Sequence, residues 1–351
     1  MSEALGDQTD LSDRNDLADA AGVVEHRLLG AAPSLTRAQV AAQAEVPLEL
    51  ATELWRLLGF AQAADDDVAF TEADVEALRL ASELQQLGVL SPERQAALVR
   101  TWGRSFARLA EWQTELLASV ALERDDPAGT FAELSGEVLP RVERLQGYVW
   151  RRHLAGAGAR LLGVEDHAGG ATNRLSVVFA DIVGYTSRSK ELGEHELVAW
   201  LEHFESRTTD LAVEHGARVI KNIGDEVLLV ADDPAAAVTI ALTLTAWGES
   251  EDDDFPRVRA GVAHGEVVSR LGDVFGPTVN VASRLTSVAR PGTVVVDEGV
   301  YDTLHGSAGG EQDDDSRQDE SGDLDFRRIR RLSVKGYPRL RAWAVRGPSS
   351  G

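Results

Sequence analysis

Two aspartates sit where short β-rich runs end: Asp181 closes "VVFADI" in "VVFADIVGYT", and Asp225 lies in the turn of "KNIGDEVLL". If those strands are neighbours, two carboxylates converge at one end of a sheet, an arrangement suited to holding Mg²⁺ against substrate phosphates. Gly184 follows Asp181 where the chain turns from strand to helix, so successive backbone N–H groups there offer a phosphate contact. A third piece, "GDVFGPTVNVASRLTSVA", spaces Asn280 and Arg284 by four residues and so places them on one face of a helix. Arginine can clasp a phosphate with two parallel hydrogen bonds, and asparagine can bind a ribose or orient the reacting group. Taken singly, each piece also reads as a turn, a cap or an exposed helix face. Lysine usage adds a further clue. The chain has three lysines, Lys190, Lys221 and Lys335, against 32 arginines, so a lysine is a candidate for a place where a compact ammonium serves better than a planar guanidinium.

The elements that must position these residues divide the chain in two. From Leu35 onward, apolar residues recur at i, i+3 and i+4 through "LTRAQVAAQA", "PLELATELWRLLGF", "TEADVEALRLASELQQLG" and "SPERQAALVRTWGRSFARLAEWQTELLASVALE", which predicts successive helices. Thr71 with Asp74 resembles a capping box, Ser91 before Pro92 marks a helix entry, and Gly88 ends the preceding helix. A connector helix is expected over about Leu139 to Leu162. Its "AGAGA" portion holds a helix poorly by itself and so offers a point where helix extent can change. The Gly-rich stretch 163–173 reads as a linker. Beyond it, β and α patterns alternate: "RLSVVFADIVGYT", the helix "HELVAWLEHFESRTTDLAVEH", two strands around "NIGD", the helix "DPAAAVTIALTLTAWG", the strands "RVRAGVAHG" and "EVVSRL", the helix "TVNVASRLTSVA", the strand "GTVVVDE" and a last β pair around "RRLSVKGYPRLRAWAV". This order predicts an α+β fold for 174–346, a split βαβ (ferredoxin-like) plan with helices on one face of a mainly antiparallel sheet, preceded by an all-α domain over 35–162. Residues 1–34 read as a flexible acidic N-terminus and 347–351 as a tail. Two acidic insertions, Glu249 to Phe255 and Gly306 to Asp323, read as solvated loops.

Composition narrows the chemistry. No cysteine is present, which removes disulfides, thiol catalysis and thiolate metal sites. A net charge of −23 argues against a nucleic-acid surface, because phosphate backbones are bound through clustered Lys and Arg. The segment from Leu35 to Leu78 is similar to the first part of a MerR-like winged helix, but its recognition region "PLELATELWRLLGF" sets Arg56 against Glu49 and Glu53, and its wing is "DDD". Those charges repel phosphate. The absence of a long apolar run or a signal-like N-terminus leads to the expectation of a cytoplasmic protein without a transmembrane segment.

Taken together, "FADIVGYT", "KNIGDEVLL" and "GDVFGPTVNVASRLTSVA", in this order and spacing, resemble the catalytic domain of class III nucleotidyl cyclases over roughly Arg174 to Val345. The resemblance implies that Asp181 and Asp225 bind two divalent ions, Mg²⁺ or Mn²⁺. It further implies that Lys221 and Asp273 read adenine, Asn280 orients the ribose, Arg284 stabilises the transition state, and Lys335 of "VKG" contacts the terminal phosphates. ATP would then be converted to 3',5'-cyclic AMP and pyrophosphate at composite sites of a homodimer. The helical half is similar to the N-terminal regulatory domain of a set of actinobacterial adenylate cyclases, which implies autoinhibition and a response to pH. His153, His167, His195 and His203 are candidate sensors, and regulation by a lipid stays open. The alternative is a catalytically weak nucleotide-binding signalling module, which the same motifs would also build. His264 in "VAHGE" reads as structural rather than catalytic.

Overall fold

The computed structural model describes residues 26, 28–60, 63–163, 172–250, 253–306, 324–329 and 340–347. The acidic N-terminus up to residue 25, residues 164–171 of the expected linker with His167, the second acidic insertion from residue 307, Lys335 and the tail from residue 348 lie outside the described residues. Two compact units are present, Met1–His167 and Ala168–Gly351. Among the described residues, no helix is long and apolar enough to cross a membrane.

The first unit is helical: α1 (Arg37–Gln43), α2 (Leu48–Leu58), α3 (Glu72–Gln86), α4 (Pro92–Leu122) and α5 (Pro127–Gly163). The caps read from sequence are formed. The Thr71 amide donates to Asp74 at 2.7 Å to start α3, and Ser91 Oγ accepts from the Arg94 amide at 3.4 Å to start α4. Leu35 and Phe70, just before α1 and α3, pair across a short antiparallel bridge, and Leu35 joins Val40, Ala51, Val75 and Leu78 in a small core. The connector differs from expectation in length. It starts at Pro127 instead of near Leu139, contains Pro140, and stays helical through its Ala/Gly stretch to Gly163.

The second unit is built on one mixed sheet: β1 (Thr172–Ile182), β2 (Arg218–Ile223), β3 (Glu226–Ala231), β4 (Val258–Arg270), β5 (Asp273–Phe275), β6 (Val294–Asp297), β7 (Asp325–Arg328) and β8 (Ala342–Arg346). Its order is β2-β3-β1-β4-β6-β8-β7, with β5 folded back on β4. The β2-β3-β1-β4 part is antiparallel throughout, the expected split βαβ core, and β6 joins β4 in parallel. Helices are α6 (Tyr185–Glu191), α7 (Glu194–Glu214), α8 (Pro234–Trp247), α9 (Pro277–Val288) and α10 (Glu298–Gly306).

Alternation along β1 sends Val178, Ala180 and Ile182 to one face, where they meet Phe204 of α7, Ile240 and Leu244 of α8 and Val300 of α10. Leu175, Val177 and Phe179 go to the other, where they meet Val281 and Leu285 of α9. Helices therefore cover both faces, and the single-face arrangement expected from the sequence is corrected: the apolar stripe of α9 docks opposite the other three. Two strands expected around His264 are one continuous strand, β4, and α10 is an element the sequence pattern did not announce.

Candidate active site

Asp181 occupies the end of β1, the strand between β3 and β4. The register sets Glu226 of β3 opposite it on one side and Arg259 of β4 on the other. Directly paired residues on antiparallel strands project from the same face, so three charged side chains form a row on the α9 side of the sheet. Arg259 donates Nε to Asp181 Oδ2 at 2.7 Å, and its Nη2 lies 2.6 Å from the same oxygen. Asp225 follows Gly224 in the β2–β3 turn, and the Ile182 amide donates to its carbonyl at 3.0 Å, which brings the turn beside the end of β1. Gly224 has φ of +65°, a left-handed conformation that favours glycine in so tight a turn.

The electrostatics report the same crowding. Burial pushes the Asp181 carboxyl above its usual range, Arg259 opposes the shift, and the Asp225 charge adds to it. Glu226 is pushed up to about 7, first by burial and then by the Asp181 and Asp225 charges. Among the described residues no three His, Asp or Glu side chains group closely enough to hold an ion by themselves. A divalent ion such as Mg²⁺ is bound through one or two carboxylates plus phosphate oxygens and water, and a carboxylate pair with excess negative charge fits that donor set. Glu226 and Arg259 were missed in the sequence. Glu226 stands next to Asp225 in "GDE", but nothing in the string reveals that Asp181 lies between it and Arg259 until the register is known.

A second cluster lies on β2 and β5. Lys221 Nζ donates to Asp273 Oδ2 at 2.5 Å, and Asp273 Oδ1 accepts from the Val274 amide at 2.8 Å, which fixes the carboxylate. A donor and an acceptor thus stand side by side, both partly open to solvent.

Asn280 and Arg284 are carried by α9, and close packing seats that helix. An added Cβ on Gly261 would meet the Thr286 amide nitrogen at 2.4 Å and the Ala282 carbonyl oxygen at 2.5 Å, so only glycine lets β4 and α9 approach this closely. Thr278 Oγ1 donates to the Glu266 carbonyl at 2.7 Å, and Thr286 Oγ1 to that of Phe179 at 3.2 Å, tying both ends of α9 to the sheet. Asn280 is exposed and Arg284 half-buried on this helix. Gly184 adopts φ of +76° at the start of α6 and is exposed. His264 has a structural setting: its Nδ1 lies 3.0 Å from Ser176 Oγ, and its amide donates to Asp297.

Residues 169–343 match the adenylate and guanylate cyclase catalytic domain family. An adenylate cyclase of Streptomyces coelicolor is 40% identical over 285 residues, covering 80% of this chain and 74% of the relative. One from Glutamicibacter nicotianae is 38% identical over 83% of this chain and 76% of its own. A pH-sensitive adenylate cyclase of Mycobacterium tuberculosis is 37% identical over 74% of this chain and 67% of its own. The matches to these three relatives extend well beyond the catalytic unit into the helical one, so both halves of the architecture are shared. The chain belongs to the class III adenylate cyclases of the actinobacterial type.

Proposed function

We propose that the chain converts ATP to 3',5'-cyclic AMP and pyrophosphate, and that its helical unit regulates the reaction. The observation that carries the substrate choice is the Lys221–Asp273 pair. An ammonium can donate to adenine N1 while the neighbouring carboxylate accepts from the exocyclic amine. Guanine presents the opposite donor and acceptor pattern on that edge, so the pair favours ATP over GTP.

Asp181 and Asp225 would hold two divalent ions, Mg²⁺ or Mn²⁺, which when bound lower the pKa of the ribose 3'-hydroxyl and neutralise charge on the phosphates. Asn280 orients the ribose so that the 3'-oxygen lies in line with the α-phosphorus. Arg284 meets the charge that grows on the α-phosphate as pyrophosphate leaves, so its contribution falls on turnover more than on substrate binding. The backbone at Gly184 and the side chain of Lys335 complete the phosphate contacts.

The carboxylates are built on β1 and the β2–β3 turn, whereas the purine pair and the arginine are built on β2, β5 and α9. This division suits a homodimer in which each site draws one set from each chain. Ile223, Val268, Leu271 and Phe275 expose apolar side chains on the β2–β3 and β4–β5 hairpins, a surface that a second copy would cover. Regulation by pH is inferred from the shared helical unit. The experiment is cyclic AMP formation from ATP, with Mg²⁺ or Mn²⁺, across pH for the full chain and for the second unit alone. Product from both, with diverging pH profiles, is expected; ATP binding without product from either would overturn the enzyme reading.

A further inference from the structure

Arg259 stands on Asp181, one of the two carboxylates to which the proposed reaction assigns a metal ion. Both Nε and Nη2 converge on the same oxygen, Oδ2 of Asp181, while Nη1 lies 3.4 Å from the carbonyl of Ser287 in the last turn of α9. The final carbonyls of a helix lack partners within it and favour a cation, so the guanidinium is held at two points. Side-chain exposure is 33% for Arg259 and 16% for Asp181, so water screens this pair only in part. With Glu226 and Asp225 close by, the end of the sheet holds three carboxylates and this guanidinium, whose charge offsets part of theirs.

A divalent ion entering here meets a site already neutralised in part. If it takes Oδ2, the two hydrogen bonds must break. If it takes the other oxygen, it stands a few ångströms from a fixed positive charge, which disfavours a second cation by roughly one to three orders of magnitude at such range. On either path the ion and the guanidinium compete for Asp181.

We propose that Arg259 is a placeholder on Asp181, a resident counter-ion that a divalent ion must displace. This rests on the metal role assigned to Asp181. Its consequence is that the chain holds the ion weakly until phosphate oxygens arrive to share it and to offer the released guanidinium another anion. The site is thereby biased toward accepting ion and nucleotide together.

The test is Mn²⁺ binding to the nucleotide-free full chain, with unbound Mn²⁺ counted from its electron paramagnetic resonance signal. Arg259→Gln is expected to bind Mn²⁺ about tenfold or more tightly than the wild type, and the gain should vanish in Arg259→Gln combined with Asp181→Asn. Arg259→Lys keeps the charge but loses the two-point hold, so it should fall between wild type and Arg259→Gln. It should also show a larger rise in Tm on adding Mn²⁺ than the wild type, which keeps the test usable if Arg259→Gln fails to fold. Unchanged or weaker Mn²⁺ binding by these variants overturns the proposal and makes Arg259 a support of the metal site. So does a gain that survives loss of Asp181. Full cyclic AMP formation by Asp181→Asn would instead remove the metal role itself, an outcome separable from failure of the placeholder.

Discussion

Lys221 and Asp273 neutralise each other across 2.5 Å while remaining partly open to solvent. Such a pair adds little to stability, which leaves recognition as the better reason for two charges there. Lys221→Met removes the donor and leaves Asp273 unpaired. The expected result is a fall in kcat/KM for ATP of roughly 10- to 100-fold with the rate on GTP changed far less. An equal loss on both nucleotides would take Lys221 out of purine reading. Asp297 gives a separate test of burial. Its carboxyl is pushed up to about 6 by burial, against the pull of the Val300 and His264 amides. Because the folded pKa lies above the unfolded value of 3.8, the folded chain holds the proton more tightly. The stability this supplies is present below the unfolded pKa and is lost as pH rises through the folded one. The loss is on the order of 3 kcal/mol. Asp297→Asn keeps an acceptor for both amides but cannot ionise. Between about pH 4 and 7 the Tm of the wild type should therefore fall relative to that of the variant. A constant difference over that range would contradict the buried, raised carboxyl.

At the scale of elements, the seating of α9 on β4 is what aims Asn280 and Arg284. Gly261→Ala would drive a Cβ into backbone atoms of α9 that cannot rotate away, so the helix must lift. The cost expected is about 1–3 kcal/mol or more, with turnover falling as Arg284 moves. Gly265→Ala meets the Thr278 hydroxyl at 2.9 Å, a side chain with some freedom to turn, and should cost less. Thermal unfolding and kcat of the two variants check the ranking, and a Gly261→Ala chain as stable as wild type would refute the close approach. The same element shows how much was legible in the sequence. The i, i+4 spacing of Asn280 and Arg284 located the helix. Its amphipathic stripe, however, is satisfied by either face of a sheet, and only tertiary packing selects one. Local pattern likewise split β4 at His264 and Gly265, because a glycine weakens the strand signal, while pairing with β1 carries the strand through. Asp181, Asp225 and Lys221 stood out by residue type and place. Glu226 and Arg259 did not, because their significance depends on register, which a single strand's pattern does not contain.

At the scale of the molecule, each unit has its own core, so the regulation proposed for the helical half would be a layer added to a catalytic unit with a core of its own. What the catalytic unit does depend on, if its sites are composite, is a second copy. The groups divide into a carboxylate set on β1 and the β2–β3 turn and a purine-and-arginine set on β2, β5 and α9. If the two sets of one chain serve different sites, Asp225→Ala and Arg284→Ala chains should each be inactive alone. A mixed dimer would then join the intact carboxylates of one chain to the intact arginine of the other. Random pairing of equal amounts makes half of the dimers mixed, each with one working site of two, so activity near about a quarter of wild type is expected from twofold symmetry. Cyclic AMP formation after mixing under conditions that allow exchange measures it. If the two sets instead act within one chain, no mixture restores activity while both variants remain dimeric, and the shared site is refuted without touching the roles of Asp225 or Arg284 themselves.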